Sequence, residues 1–197
     1  TGVQTCALPI LDIVGKDLLL KRLDELFTIE MDENIPGAHD IQGRIGAYWH
    51  GNEPCHHIAF LYNQLGQPWK CQKWIRTIAS HFYGDEPGSL SGNDDCGQMS
   101  AWYIFACMGF YPVAPSSNVY SIGSPCVKAM KLKLSNGKMI EMIADNWSSR
   151  NIYVKELYVN GKKHTSSYLK YDDVCNGVKL RFVMSGKPNY KRGLDSN

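Results

Sequence analysis

Apolar residues recur at three- and four-residue steps at Leu19, Leu20, Leu23, Leu26 and Phe27, which predicts an amphipathic helix. Residues 28–46 show no strong period and hold Pro36, Gly37, Gly43 and Gly46, so they read as a long loop. A second helix is expected from Pro54, capped by Asn52, to Leu65. Pro68 opens a third, carrying Trp69, Ile75, Ile78, Ala79 and Phe82. A fourth covers residues 97–108 and stops at Gly109, with Pro112 and Pro115 barring its continuation. Beyond Val119 the period shortens to two. Met130, Leu132 and Leu134 alternate with Lys131 and Lys133, and residues 139–144, 152–159 and 178–184 read as further strands. Turns are marked by Asn136-Gly137, Asn160-Gly161 and Asn176-Gly177. The pattern predicts an α+β chain that divides near residue 118, with helices over 11–118 and an antiparallel β region over 119–197.

Glu53 starts one of these helices, and Asp94 and Asp95 start another, with a single helix between them. Short connections make consecutive helices antiparallel, so the two acid-bearing helices run parallel and their N-terminal ends share a side. This is the wiring of an α/α barrel. It gathers Asn52, Glu53, His56, His57, Asn93, Asp94 and Asp95 at one face, near Tyr48, Trp49 and Trp102. Rings stack on sugar faces, and paired carboxylates are the acid/base equipment of glycoside hydrolysis. Oxygen-rich clusters also suit calcium. Structural readings compete: Glu53 as a first-turn acid, Asp94 and Asp95 as helix caps, Trp102 and Tyr103 as core. Adjacent His56 and His57 cannot share one helix face, and their spacing is not that of the metalloprotease motif.

Composition narrows the field. The 197 residues are 44% hydrophobic and 20% charged, enough to bury a core. The net charge of +2 comes with no Lys/Arg block, so no nucleic-acid partner is expected. No apolar run approaches the ~18 residues of a membrane span. The seven cysteines include no Cys-x-x-Cys pair and read as reduced thiols rather than a zinc site. Residues 1–10 resemble the translation of a sequencing-library adapter, as found in assembled metagenomic reads.

Residues 48–66 (YWHGNEPCHHIAFLYNQLG), 67–73 (QPWKCQK), 82–87 (FYGDEP) and 90–112 (LSGNDDCGQMSAWYIFACMGFYP) together resemble glycoside hydrolase family 92. Ile122-Gly123-Ser124-Pro125 and Gly186-Lys187-Pro188-Asn189 add to the match. The family comprises calcium-dependent exo-acting α-mannosidases, often α-1,2-specific. The resemblance implies the C-terminal part of an (α/α)6 barrel followed by a small antiparallel sheet or sandwich. It implies inverting removal of terminal mannose from glycans, with Asp95 as general base and Asp94 as its less defined partner. Asn52 and Glu53 are carried over as site residues in metal or sugar contact and are the candidate Ca2+ ligands; with the residues gathered at the same face, the candidate substrate contacts are Glu53, His57, Asn93 and Trp102. Asn93 is a departure, because family members often carry an acid there.

The family's general acid lies in a Glu-Gly-Asn segment, and none occurs between Leu11 and Tyr48. The expected partners are therefore a mannose-containing glycan and the missing N-terminal β-sandwich and barrel segments. This chain alone is expected to be inactive, and the family implies a periplasmic or secreted location. The alternative is a carbohydrate-binding remnant without catalysis.

Overall fold

The computed structural model describes residues 7–30, 42–86 and 88–194. Two helices lead, α1 (Ala7–Val14) and α2 (Lys16–Thr28). The apolar stripe of α2 buries Leu23 and Phe27, and Phe27 stacks on Trp74 with ring centroids 4.5 Å apart. Its other face stays in water, where Lys21 and Arg22 pair with Glu25 and contribute little.

The segment expected as a loop carries a hairpin, β1 (Arg44–Ile45) against β2 (Tyr48–Trp49). Gly46 makes its turn at φ 59°, and a Cβ there would fall 2.6 Å from the Leu26 carbonyl oxygen. The end of α2 therefore seats directly on the turn, sealed by Ala47 N–H donating to Leu26 O. Most of the rest of that loop, residues 31–41, lies outside the described residues.

The helix expected from Pro54 to Leu65 is not continuous. It is a 3-10 turn over Glu53–Cys55, a second over Ile58–Phe60, and one turn of helix, α3 (Leu61–Gln64). Tertiary partners override the helical pattern: the His56 imidazole bonds back to His50 O, and the Asn63 amide reaches Ser121 and Ile122. Short 3-10 pieces let the chain turn to meet each of them. The next two helices match expectation, α4 (Pro68–Phe82) and α5 (Gln98–Met108), and Gly109 closes α5 in the left-handed region.

After α5 the chain builds two sheets. One holds β3 (Phe110–Tyr111), β4 (Val119–Ile122) and β9 (Tyr168–Lys170). The other holds β5 (Ala129–Lys133), β6 (Met139–Asp145), β7 (Tyr153–Val159), β8 (Lys162–Lys163) and β10 (Val178–Ser185), in the order β5-β6-β10-β7-β8. The expectation of a purely antiparallel region is corrected here, because β10 runs parallel to β6. A strand inserted between two antiparallel strands must run parallel to one of them, and β10 is antiparallel to β7. Asn160-Gly161 turns β7 into β8 with both φ positive, as a two-residue hairpin demands. Asn176-Gly177 instead ends a short helix, α6 (Tyr171–Cys175), that leads into β10.

One core gathers around α2, α3 and α4, another between the five-stranded sheet, α6 and the end of α5. Buried polar groups on α4 join them. Gln72 accepts from Val154 N–H at 2.9 Å. Arg76 donates to Pro125 O and to Ser148 O, each at 2.9 Å, and lies over the Trp147 ring. Arg76→Ala is expected to cost about 2–3 kcal/mol by leaving two carbonyls unpaired, read as a lower urea midpoint. A midpoint within experimental error of the parent would show that the seam does not depend on this residue.

Candidate active site

The loop before α5 is held in an unfavourable shape. Asp95, Cys96 and Gly97 have φ of 44°, 59° and 91° in succession. Only glycine adopts that region freely, and each other residue costs roughly 1–2 kcal/mol. Consecutive strain of this kind needs strong anchoring, and Asp94 provides it. Its Oδ1 accepts from the Ser100 amide and from the Ser100 hydroxyl, both at 2.9 Å, and its carbonyl accepts from Gly97 and Met99. The capping role considered for both acids thus falls to Asp94. Asp95 has its carboxyl turned to Glu53.

Glu53 begins the first 3-10 turn. Its loop and the acid loop run back to back, where Gly92 faces the backbone of Gly51 and a Cβ on Gly51 would meet Gln42 O at 2.7 Å. The convergence expected from parallel helices is therefore achieved by two abutting loops, since Glu53 heads no helix of length. A hydrogen bond that protonated Glu53 donates to the Asp95 carboxylate raises the Glu53 carboxyl above its ordinary pKa, and burial adds to that. Glu53 Oε1 is buried with no hydrogen-bond partner. Two carboxyls in contact need a shared proton or a cation.

Beneath this pair lies a layer of hydrogen bonds that sequence reasoning largely missed. Carbonyls only accept, so its directions can be read. Tyr83 OH donates to Met99 O at 3.1 Å, and therefore accepts from His50 Nε2–H at 2.7 Å. His50 Nδ1 then accepts from Tyr48 OH at 2.9 Å. His56 Nε2–H donates to His50 O at 3.0 Å, which leaves Nδ1 to accept from the Gln98 amide at 3.2 Å. Gln98 also reaches Tyr111 OH at 3.3 Å. The imidazoles of His50 and His56 stack at 4.7 Å. Burial pulls His50 down to about 3 and His56 to about 4, so both are neutral. The available signals were the position of His50 between Trp49 and Gly51 and of Tyr83 before Gly84, but neither pattern names a partner.

Trp102 requires correction as a sugar platform. It is wholly buried, its indole N–H donates to His56 O at 3.1 Å, and its edge packs on His50. It supports the site from below. His57 is also buried, bonded to the Pro54 carbonyl, with its pKa lowered by burial. Asn52 and Asn93 are exposed beside the pair, and the Asn52 amide contacts Cys55 Sγ at 3.8 Å.

The donors suit a hard cation in kind but not in number. Glu53, Asp95 and Asn52 offer oxygen, and Glu53 Oε1 has no other partner. Calcium takes 6–8 oxygens, however, and among the described residues no three His, Cys, Asp or Glu side chains group as a metal site. On donor chemistry these residues could supply no more than part of a coordination shell.

Comparison with known proteins places the chain among the glycoside hydrolases. The model of the glycosyl hydrolase family 92 catalytic domain matches residues 10–186, and the chain belongs to that family. A family 92 α-mannosidase from Bacteroides thetaiotaomicron, solved with mannoimidazole, is 72% identical with a TM-score of 0.92, covering 94% of this chain and 24% of that one. An inverting family 92 mannosidase from the same species is 34% identical with a TM-score of 0.77, covering 92% and 26%. An uncharacterized secreted glycosidase of Arthroderma benhamiae is 32% identical over 150 residues, 75% of this chain and 19% of that protein. The chain thus spans about a quarter or less of the relatives it matches. No described helix is long and apolar enough to cross a membrane.

The neutral histidines set a pH dependence. Below 6.5 the unfolded chain binds protons that folded His50 and His56 refuse, so stability present above 6.5 is lost as pH falls towards 4. Each imidazole contributes up to about 2 kcal/mol of this loss at pH 5. The raised Glu53 carboxyl acts in the opposite sense, its contribution fading as pH rises through its folded pKa. Thermal melts from pH 7.5 to 4.5 are expected to fall steadily below 6.5. A flat profile would mean that the imidazoles are not held neutral.

Proposed function

We propose that the complete protein to which this chain belongs removes terminal α-1,2-linked mannose from glycans by inverting hydrolysis. The observation that carries the reading is the gathering of Asp95 and Glu53 on two abutting loops, near enough for Asp95 to shift the Glu53 carboxyl. The 72% identity to a mannosidase solved with mannoimidazole supports mannose as the sugar. Asp95, on its strained loop, takes the proton from the attacking water. Asp94 fastens that loop to α5 through Ser100. Glu53 does not serve as the opposing acid. An inverting pair stands roughly 6.5–9.5 Å apart to admit sugar and water, whereas Glu53 lies within hydrogen-bonding reach of Asp95.

The roles left to Glu53 and Asn52 are to hold calcium and to orient the sugar. A bound calcium supplies there a fixed positive charge for sugar hydroxyls. Asn93 flanks the same mouth and adds a sugar contact, while His57, buried and bonded to the Pro54 carbonyl, backs the Glu53 turn. The general acid comes from chain outside these residues, as does the sandwich that closes the pocket, so the 197-residue chain is inactive alone. The secreted relative supports a periplasmic or extracellular setting.

Asp95→Asn in the complete protein is expected to lower turnover of an aryl α-mannoside by about 100-fold or more, with an unchanged melt. Asp94→Ala is expected instead to cost about 1 kcal/mol of stability through the lost cap. Near-normal turnover in Asp95→Asn would remove it as base. Turnover by the 197-residue chain matching a full-length relative would contradict its inactivity. A second reading, carbohydrate binding without hydrolysis, rests on Asn93, an amide where the family often has an acid. Mannose binding by the complete protein, with no release of product, would favour it.

A further inference from the structure

A second charged cleft lies among residues that take no part in the acid loops. Its volume is about 200 Å3, and it is lined by Lys155 and Glu156 of β7, Lys163 of β8, His164 beyond it, and Lys191 and Arg192. Surface lysines alone would be solvated and need no explanation. Arg192 does need one. It is only 7% exposed, and its Nε and Nη1 are buried without a partner. Its one hydrogen bond, from Nη2 to Ser166 O, is long at 3.4 Å. Among the described residues Arg192 makes no ion pair, although a buried guanidinium needs an opposite charge. Burial pulls its pKa down to about 10.

The single acid in the cleft is already committed. Glu156 Oε1 accepts from Lys163 at 3.2 Å, and Oε2 accepts from Tyr158 OH at 2.9 Å. His164 donates Nε2–H to Tyr168 O at 2.8 Å, and burial lowers its pKa, so it adds no charge. Among the described residues Lys155, Lys191 and Arg192 make no ion pair, and only Lys155 lies near enough to Glu156 for its charge to help hold that carboxyl below the usual range. Their placement is fixed by Asn189, whose amide donates to Lys155 O at 3.0 Å and whose Oδ1 takes Lys191 N–H at 3.1 Å. That pair of bonds ties the segment carrying Lys191 and Arg192 to β7.

We propose that this cleft is an oxyanion site for a phosphate- or sulfate-type group. The ammonium groups of Lys155 and Lys191 bond the anion directly. Arg192, whose Nε and Nη1 are closed to solvent, lines the same cleft, and the anion offsets its charge without a direct bond to those nitrogens. The site is independent of the mannosidase reading, since no residue of the acid loops enters it.

The test is thermal unfolding of the 197-residue chain in inorganic phosphate, and separately in sulfate, against chloride at equal ionic strength. The midpoint is expected to rise and saturate with either oxyanion. Arg192→Met is expected to abolish the rise. The Lys155→Ala/Lys191→Ala double variant keeps the buried group and is expected to weaken apparent affinity by about tenfold or more, as loss of a charge-assisted bond implies. If Arg192→Met does not fold, the double variant decides. An equal rise in the parent and the double variant marks a general salt effect and overturns the site, as does no rise in the parent. A complete protein that ignores phosphate while the chain responds assigns the cleft to an acidic side chain of the longer protein, which also overturns it.

Discussion

The carboxyls of Glu53 and Asp95 meet above a layer that carries no charge. Protonating His50 or His56 would set a buried cation among groups already saturated with neutral hydrogen bonds. Tyr83 accepts from His50 because its own proton is spent on Met99 O, and Tyr48 donates to the other ring nitrogen. Reversing one bond forces its neighbour to reverse, and the terminal carbonyl cannot. The network therefore has one arrangement. It locks His56 in the tautomer that receives Gln98, and Gln98 is the first residue of α5, directly after the strained turn. The shape of the acid loop depends on that uncharged foundation as well as on Asp94.

The same constraint explains why Trp102 is interior. An indole has one donor, and here it goes to His56 O. Its surface packs on His50 and stacks with Tyr83 at 5.7 Å. The Trp102 indole is thereby spent on the interior, and the groups left exposed beside the acid pair, Asn52 and Asn93, are polar.

Periodicity made the long regular elements legible. α4 and α5 followed from their apolar repeats and bounding Pro68 and Gly109, and the strands of the larger sheet from alternation and Asn-Gly turns. Long-range demands hid the rest. Residues 54–65 look helical, yet His56 and Asn63 are pulled by partners remote in sequence. The two-residue strands β1 and β2 are too short to show a period. At the site, residue types exposed Asp94, Asp95 and Glu53 as candidates. Which acid caps and which reaches across turned on backbone angles that no spacing rule gives. His50 was silent because a histidine whose whole task is to stay neutral looks like any other in a sequence.

The position of β10 bears on how such a chain is made. It is the last strand among the described residues, yet it sits at the centre of its sheet, bonded to β6 on one side and β7 on the other. On a ribosome, β6 and β7 would emerge with the edges that later flank β10 open and unpaired. Such edges recruit strands from other chains. The sheet closes only when residues 178–185 have cleared the exit tunnel, so those edges stay open for as long as the ribosome takes to make the residues between β7 and β10.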